Sequence, residues 1–443
     1  MNTVVVWFRN DLRLHDSRVL ARAASLGAPL LCVYVHDPDL DGVTRWGFPR
    51  VGPHRRRFLA DTLLDLDRQL QALGQRLWIS RARPAEAFAA LTSITPIDRI
   101  VCEHIAAPEE EREVVDLRAR GLTVETLWQS SLLDPDDLPF DVAELPQVFT
   151  NFRKCLETEG TSPSLALPRP SSLPVSPIGV GESTGWSSGW RAASDAHVEA
   201  MLGAGPAFAD PRSAFPYAES QCRGGESAAL AHLKRYFESD APQRYKQTRN
   251  GLTGIEYSTK FSPWLASGAL SPREVYAALK AHEAARGANE STYWIWFELL
   301  WRDYFRFLHL QHGARLYRAA GLSREAAPPH DVARFAAWCR GQCGEPFIDA
   351  GMRELAATGY LSNRLRQNVA SWLVNDLRCD YRAGAAWFES QLIDYDPYSN
   401  QGNWLYLAGR GTDPREGRRF DPQRQSRSYD PDGAYRLLWN GGV

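Results

Sequence analysis

Four stretches of the chain gather residues that could do chemistry. In the run 291–311, Glu298 and Arg302 stand four apart with Trp301 beside them, among Tyr293, Trp294, Trp296, Phe297, Tyr304, Phe305 and Phe307. On a helix that spacing puts acid, cation and indole on one face. The pair reads either as an i,i+4 salt bridge that tolerates burial or as a working acid, because a buried carboxylate is costly unless paired or used. A second stretch, Asn363-Arg364-Leu365-Arg366-Gln367-Asn368, leads an otherwise apolar helix over 361–377, with Asn363 and Arg366 on one face and Arg364 on another; it reads equally as a polar helix start near solvent. The third, 393–406, reads as a loop in which Asp394 and Asp396 alternate and Asn400, Trp404 and Tyr406 follow. With no histidine or third carboxylate near, a metal is poorly supported. Two acids accepting hydrogen bonds from Arg366 and from the ring N–H of a bound heterocycle suit these residues better. In the fourth, Tyr245 to Leu252 is followed by Ser258-Thr259-Lys260-Phe261-Ser262-Pro263. Hydroxyls and amides before a turn can cradle phosphate, or simply start a helix. Further on, the segment 409–427 holds six Arg against three acids, a solvated tail or an edge that tracks phosphates.

These residues need a frame, and its pattern changes along the chain. Apolar, β-rich runs at 3–8, 29–35, 76–80, 100–105 and 123–128 alternate with helical patterns such as 55–73 and 109–120. Such alternation predicts an α/β unit over 1–130, a parallel, doubly wound, Rossmann-like sheet. No GxGxxG follows the first strand; Arg9-Asn10-Asp11-Leu12-Arg13 stands there instead, so the usual dinucleotide pyrophosphate site is unsupported. Residues 131–224 read as a connector, crowded with Pro, Ser and Gly near 160–190. From 225 to 443 helical periodicity takes over, which predicts a second, all-α domain.

Composition narrows the partners. The chain has 443 residues, 44% hydrophobic and 23% charged, as ordinary globular domains have. With 51 Lys+Arg against 53 Asp+Glu the net charge is −2, so any polyanion site must be local. Lysine is confined to Lys154, Lys234, Lys246, Lys260 and Lys280; the abundant arginine suits bidentate contacts with phosphate or carboxylate. Seven scattered cysteines lack the spacing of a metal cluster, and no apolar run approaches the roughly 20 residues of a membrane span. The expectation is a cytoplasmic, monomeric protein with no metal and no membrane partner.

Together, in this order behind an α/β unit, the four stretches resemble the photolyase/cryptochrome flavoprotein family. The likeness runs from Trp7-Phe8-Arg9-Asn10-Asp11-Leu12-Arg13 to Tyr406. Thr248-Arg249-Asn250-Gly251-Leu252, Gly411-Thr412-Asp413-Pro414-Arg415 and Tyr406 look like the cryptochrome DASH branch. The resemblance implies FAD held in the helical domain, with Ser258, Thr259, Lys260, Phe261 and Ser262 at the diphosphate and Tyr245 nearby. It sets Arg366 against Asp394 beside the isoalloxazine, Asp396 at its pyrimidine edge and Asn400 at N5, with Glu298 and Arg302 bordering the cofactor and Trp404 beside it. The reaction implied is light-driven repair of cyclobutane pyrimidine dimers flipped out of DNA, mainly single-stranded. Glu298 and Asn363 would bond the base edges, Trp301 and Tyr406 would sandwich the lesion, and Arg249, Arg364, Arg418 and Arg419 would reach phosphates.

Three further expectations attach to the resemblance. A blue-light photoreceptor on the same scaffold is the alternative function, and a light-independent nucleotide- or RNA-binding flavoprotein a third. The family's tryptophan relay for flavin photoreduction keeps its inner member at Trp404, whereas the next positions read Tyr381 and Pro328, leaving Tyr381 or Trp387 as substitutes. A methenyltetrahydrofolate antenna is conceivable but unsupported, because His104 is followed by Ile105-Ala106-Ala107 rather than by a carboxylate.

Overall fold

The computed structural model describes residues 2–177, 189–413 and 417–441. Its first half is built on a six-stranded sheet of order β5-β4-β1-β2-β3-β6. β1 (Thr3–Phe8) is buried along its whole length and pairs in parallel with β2 (Leu30–His36) and β4 (Ile97–Glu103). β3 (Leu77–Arg81) and β5 (Val124–Leu127) extend the parallel part outward. A strand buried on both faces must be apolar throughout, and Val4, Val5, Val6, Trp7 and Phe8 satisfy that.

The sixth strand departs from expectation. β6 (Trp190–Ala192) comes from the segment read as a connector and adds antiparallel to β3. Trp190 is fully buried there, and its indole N–H donates to Ala87 O at 3.1 Å. That satisfied donor explains how a three-residue strand is held. The same segment forms the helices Phe149–Thr158 and Asp195–Leu202. Part of the Pro/Ser/Gly-rich stretch lies outside the described residues.

The second half is helical. Its axis is the 23-residue helix Glu290–His312, opened by a capping box at Asn289 and Thr292. Against it pack the helices Ala241–Thr248, Pro272–Arg286 and Pro397–Leu407, and the helices Glu226–Glu238, Pro346–Thr358 and Tyr381–Gln391 belong to the same half. The expected helix over 361–377 is an α-helix from Asn363 to Ser371 that continues as a π-turn, Trp372–Asp376. Insertions of that kind cluster at functional sites. The stretch 393–406, expected as a loop, is a helix from Pro397 onward. Asp396 caps it, accepting from Ser399 N at 2.9 Å, and Pro397 supplies the preset first turn. Asn400, Gly402 and Asn403 mask its helical periodicity in the sequence.

Buried polar bonds join the halves. Arg273 donates from Nε to Asp16 at 2.9 Å and from NH2 to Gln129 O at 3.1 Å. Glu226 accepts from the backbone amides of Leu14 and His15 at 3.0 and 2.8 Å. Asp303, on the axial helix, accepts from Leu132 N and Leu133 N at 2.9 and 2.7 Å. Each buried carboxylate thereby finds the donors its desolvation demands.

Candidate flavin and nucleic-acid site

A cavity of about 420 Å³ opens in the helical half, a size that ordinary cofactor sites occupy. Tyr245, Arg249 and residues 258–262 line one side, the axial helix contributes Glu298, Trp301 and Arg302, and Asn363, Arg366, Asp394, Asp396, Asn403 and Tyr406 close the other. An adjoining chamber of about 90 Å³ shares Asn363, Arg366, Asp394, Asp396 and Asn403 and adds Asn400 and Trp404. The structure therefore brings residues from all four sequence stretches to one continuous space.

The segment at 258–262 is held in an unusual shape. Ser258 and Lys260 have φ of 62° and 58°, a region that costs side-chain-bearing residues of order 1–3 kcal/mol each and persists where the surroundings demand it. Lys260 is buried, and its ammonium finds no hydrogen-bond partner; it lies 3.1 Å from the ring centroid of Tyr257 and 5.0 Å from that of Tyr360. Burial drives its pKa well below the usual lysine value, against the opposing pull of Glu354. An anion in the cavity would relieve this, as a diphosphate does.

The two acids differ in their surroundings. Asp394 is paired through Oδ2 with Arg366 at 2.8 Å, while its Oδ1 is buried without a partner. Arg366 in turn donates from Nε to Leu361 O at 2.8 Å. Asp396 accepts from the Ser399 hydroxyl at 2.5 Å and stands 3.8 Å from Arg306. Burial raises its carboxyl, but Arg306, Arg302 and the Ser399 bonds outweigh that and hold it below the ordinary carboxylate range. An orphaned carboxylate oxygen and a strongly ionised neighbour are acceptors waiting for ring N–H donors. A partnerless ammonium and these acceptors, on residues that line one cavity, fit a group with a diphosphate and a heterocycle. Asn400 commits an amide hydrogen to Ala385 O at 3.0 Å.

Glu298 does not pair with Arg302. Its carboxylate meets Arg249 at 2.6 Å, and Arg302 donates to the carbonyls of Ser130 and Leu265. The i,i+4 expectation fails because those carbonyls and the nearer guanidinium of Arg249 satisfy both groups better. Burial raises the Glu298 carboxyl and Arg249 opposes the rise. The Trp301 and Tyr406 rings stand 6.0 Å apart at 67°, a corner rather than two parallel walls. Phe149 already covers one face of Trp301, with centroids 3.7 Å apart at 11°. Arg418 donates to the Tyr406 hydroxyl at 2.5 Å. Arg364 and Arg419 lie outside the cavity lining; Arg364 donates to Asn250 at 2.9 Å, and Arg419 pairs with Asp376 at 2.6 Å. Part of the stretch Gly411–Arg415 lies outside the described residues.

Phe149 and Arg306 back the site from behind its lining, through Trp301 and Asp396, and the sequence reading does not single them out. Arg306 follows Arg302 by four and so shares its face, a signal that was available. Phe149 gives none, because it lies within 131–224, whose composition reads as a connector.

A second cavity, of about 160 Å³, lies where the sheet's C-terminal edge meets the helical half, lined among others by Trp7, Arg9, Arg50, Arg55, Glu110, Glu389 and Tyr395. His104 is not in its lining; it faces Glu111 at 3.7 Å. The antenna expectation rested on a carboxylate just after His104. The cavity takes three of its acids, Glu109, Glu110 and Glu113, from the helix Pro108–Ala119, where burial pushes Glu110 up to about 7. Among the described residues no group of three or more His, Cys, Asp or Glu could hold a metal, and no helix is long and apolar enough to cross a membrane.

Two family models match the chain, "DNA photolyase" over residues 4–171 and "FAD binding domain of DNA photolyase" over 294–440. The chain belongs to the photolyase/cryptochrome flavoprotein family, and FAD is the cofactor of its helical half. Its relatives place it in the cryptochrome DASH branch. Cryptochrome DASH of Danio rerio is 43% identical over 99% of this chain and 82% of its own length, and that of Gloeobacter violaceus 43% identical over 99% and 85%. The crystal structure of a cryptochrome from Synechocystis sp. PCC6803 superposes with a TM-score of 0.90 at 41% identity, covering 99% of this chain and 88% of that one. A bacterial class III photolyase from Agrobacterium tumefaciens superposes with 0.79 at 28% identity, over 99% and 86%.

Proposed function

We propose that the chain repairs cyclobutane pyrimidine dimers in blue light, mainly in single-stranded DNA. The observation that carries this reading is that Glu298, Trp301, Asn363 and Tyr406 line the same cavity as the residues fitted to FAD. A photoreceptor has no need of an acid, an amide and two aromatic rings gathered beside its flavin. When bound and reduced, FAD supplies on excitation an electron that opens the dimer's ring and then returns, so no redox equivalent is consumed.

The chain's own residues do the rest. Ser258 to Ser262 and Lys260 hold the diphosphate, and Asp394 and Asp396 accept from the ring system, with Arg366 keeping Asp394 compensated and Asn400 beside them. Trp301 and Tyr406 offer an apolar corner for the extruded bases, and Phe149 fixes the plane of Trp301 by stacking behind it. Asn363 offers both donor and acceptor to a base edge. Glu298, raised by burial, donates to a base carbonyl once it is protonated; a phosphate that draws Arg249 away removes the charge opposing that protonation. Arg249, Arg364, Arg418 and Arg419 supply a small local cationic fringe in a chain of net charge −2. Extruding a dimer from a duplex costs a few kcal/mol of unpairing and unstacking that a single strand largely avoids, and so small a fringe favours the cheaper substrate.

The test is direct. Chemically reduced, flavin-loaded protein under blue light should restore dimer-containing oligothymidine, and an undamaged single strand should compete weakly. Full flavin occupancy with no turnover in light would sink repair and leave the photoreceptor reading.

A further inference from the structure

Trp404 lines the flavin chamber, is 1% exposed and touches a line of rings that leads out of the helical half. Its centroid lies 5.1 Å from that of Phe388, Phe388 lies 6.3 Å from Trp338, Trp338 lies 6.0 Å from Phe335, and Phe335 lies 6.4 Å from Trp46. Indoles therefore alternate with single phenyl rings at near-contact spacing. Trp338 is fully buried, whereas Trp46 is half-buried, at the tip of a loop closed by the Val43–Pro49 bridge in the α/β half.

The two other outlets are less suited. Tyr381 is 1% exposed, burial pushes its hydroxyl up to about 12, and that hydroxyl donates to Arg318 O at 2.8 Å. A carbonyl cannot take the phenolic proton that tyrosine oxidation must release, so a hole on Tyr381 has nowhere to settle. Pro328 carries no ring able to hold one. Trp387 meets the line only through Phe48, at 5.0 Å, as a side branch.

We propose that Trp404, Trp338 and Trp46 form an electron path that reduces the flavin from the surface of the other half of the molecule. It rests on FAD lying beside Trp404 and not on the repair reading. One electron passes from Trp404 to the photoexcited oxidised flavin. Trp338 refills Trp404 and Trp46 refills Trp338, with Phe388 and Phe335 as bridges that are not themselves oxidised. The hole ends on Trp46, under the Arg45 guanidinium 4.4 Å from its ring centroid. That positive charge disfavours a cationic indole, so the ring N–H proton leaves to solvent. A thiol reductant in solution then returns a hydrogen atom to Trp46, and two thiyl radicals couple to a disulfide.

The experiment uses flavin-loaded full-length protein, anaerobic, in blue light with an excess of small-molecule thiol. Loss of the oxidised-flavin absorption band is followed for the wild type and for Trp338→Phe, Trp46→Phe, Tyr381→Phe and Trp387→Phe, each matched for flavin content. The Trp46 and Trp338 variants should lose most of the photoreduction rate, and the Tyr381 and Trp387 variants should keep it. In parallel, a radical trap present during illumination should mark Trp46 of the wild type, read by mass spectrometry of its peptides. Should Trp338→Phe fail to load flavin, the half-exposed Trp46 decides alone. Wild-type rates in Trp46→Phe, trap adducts on Tyr381 or Trp387, or a wild type that does not photoreduce would each overturn the path. Trp46→Phe reduced chemically should still repair as the wild type does, which separates failure of the path from failure of the repair reading.

Discussion

Arg249 closes a 2.6 Å ion pair on Glu298 at the mouth of the cavity, so two residues assigned to the substrate are spent on each other before it arrives. Glu298 can meet a base edge and Arg249 a phosphate only if that pair opens. Its cost is modest, because the carboxylate side chain is 32% exposed and a pair so placed is screened by solvent.

The two partners should accordingly fail in different ways. Glu298→Ala removes a hydrogen bond to the lesion and should slow repair by roughly one to two orders of magnitude, about 1–3 kcal/mol. Glu298→Gln keeps an amide donor and should keep much of the rate. Single-turnover repair of dimer-containing oligothymidine measures both, and equal loss in the two variants would contradict a donor role.

Arg249→Ala should instead weaken binding of damaged and undamaged strands alike and lower the slope of log affinity against log salt by about one. Fluorescence anisotropy at several salt concentrations reads this. An unchanged slope would mean that Arg249 serves Glu298 alone.

Arg366 and Asp394 make a pair of the opposite kind, 2.8 Å apart with the carboxylate 1% exposed. Removing one partner of a buried pair leaves an uncompensated charge and costs about 3–5 kcal/mol. Arg366→Ala should therefore purify with little flavin and a lowered melting temperature, read from the ratio of visible to protein absorbance and from thermal unfolding. Normal flavin content would refute the place given to this pair.

The parts legible in the sequence were those governed by local rules. The short, continuous apolar run Thr3–Phe8 predicts a strand because both of its faces are buried. Periodicity over 291–311 predicts the axial helix because its apolar residues recur around a full turn. Trp190 escaped because a three-residue strand is made by its partner β3, not by its own pattern. The helix Pro397–Leu407 escaped because the amides, serine and glycine that fill it are ordinary loop residues, though Asp396 and Pro397 form a recognisable start. The Arg249–Glu298 pair was illegible for another reason. Nothing in either segment says that the helix Ala241–Thr248 will lie against the axial helix, and the choice between Arg249 and Arg302 is made by that packing.

Where the halves meet, Gly268 carries a prediction about assembly. Its φ is 70°, and a Cβ there would fall 1.9 Å from Asn10 O, while its own carbonyl accepts from Arg13 at 2.9 Å. Backbone cannot yield as a flexible side chain does. Gly268→Ala should destabilise the protein by more than about 2 kcal/mol through strain and lost packing, seen as a lower midpoint in denaturant. A midpoint equal to the wild type would show that the contact between the halves yields easily.

His309, on the axial helix, makes the stability of the fold depend on pH. It is 1% exposed; its Nδ1 donates to Phe305 O at 2.7 Å, and its Nε2 lies 3.1 Å from the Tyr317 hydroxyl, placed to accept from it. Burial pushes its pKa down to about 4, against about 6.5 in an unfolded chain. In that window the unfolded state binds a proton that the folded state refuses, so stability falls as pH drops from 6.5 and stops falling below 4. At pH 5 the loss from this residue alone is about 2 kcal/mol. His309→Gln keeps an acceptor and a donor without titrating, so it should flatten the dependence of unfolding free energy on pH between 7 and 5 whatever its stability at neutral pH. The slope, rather than the absolute stability, is the readout, and a variant that retains the full wild-type slope would assign the acid sensitivity to other groups.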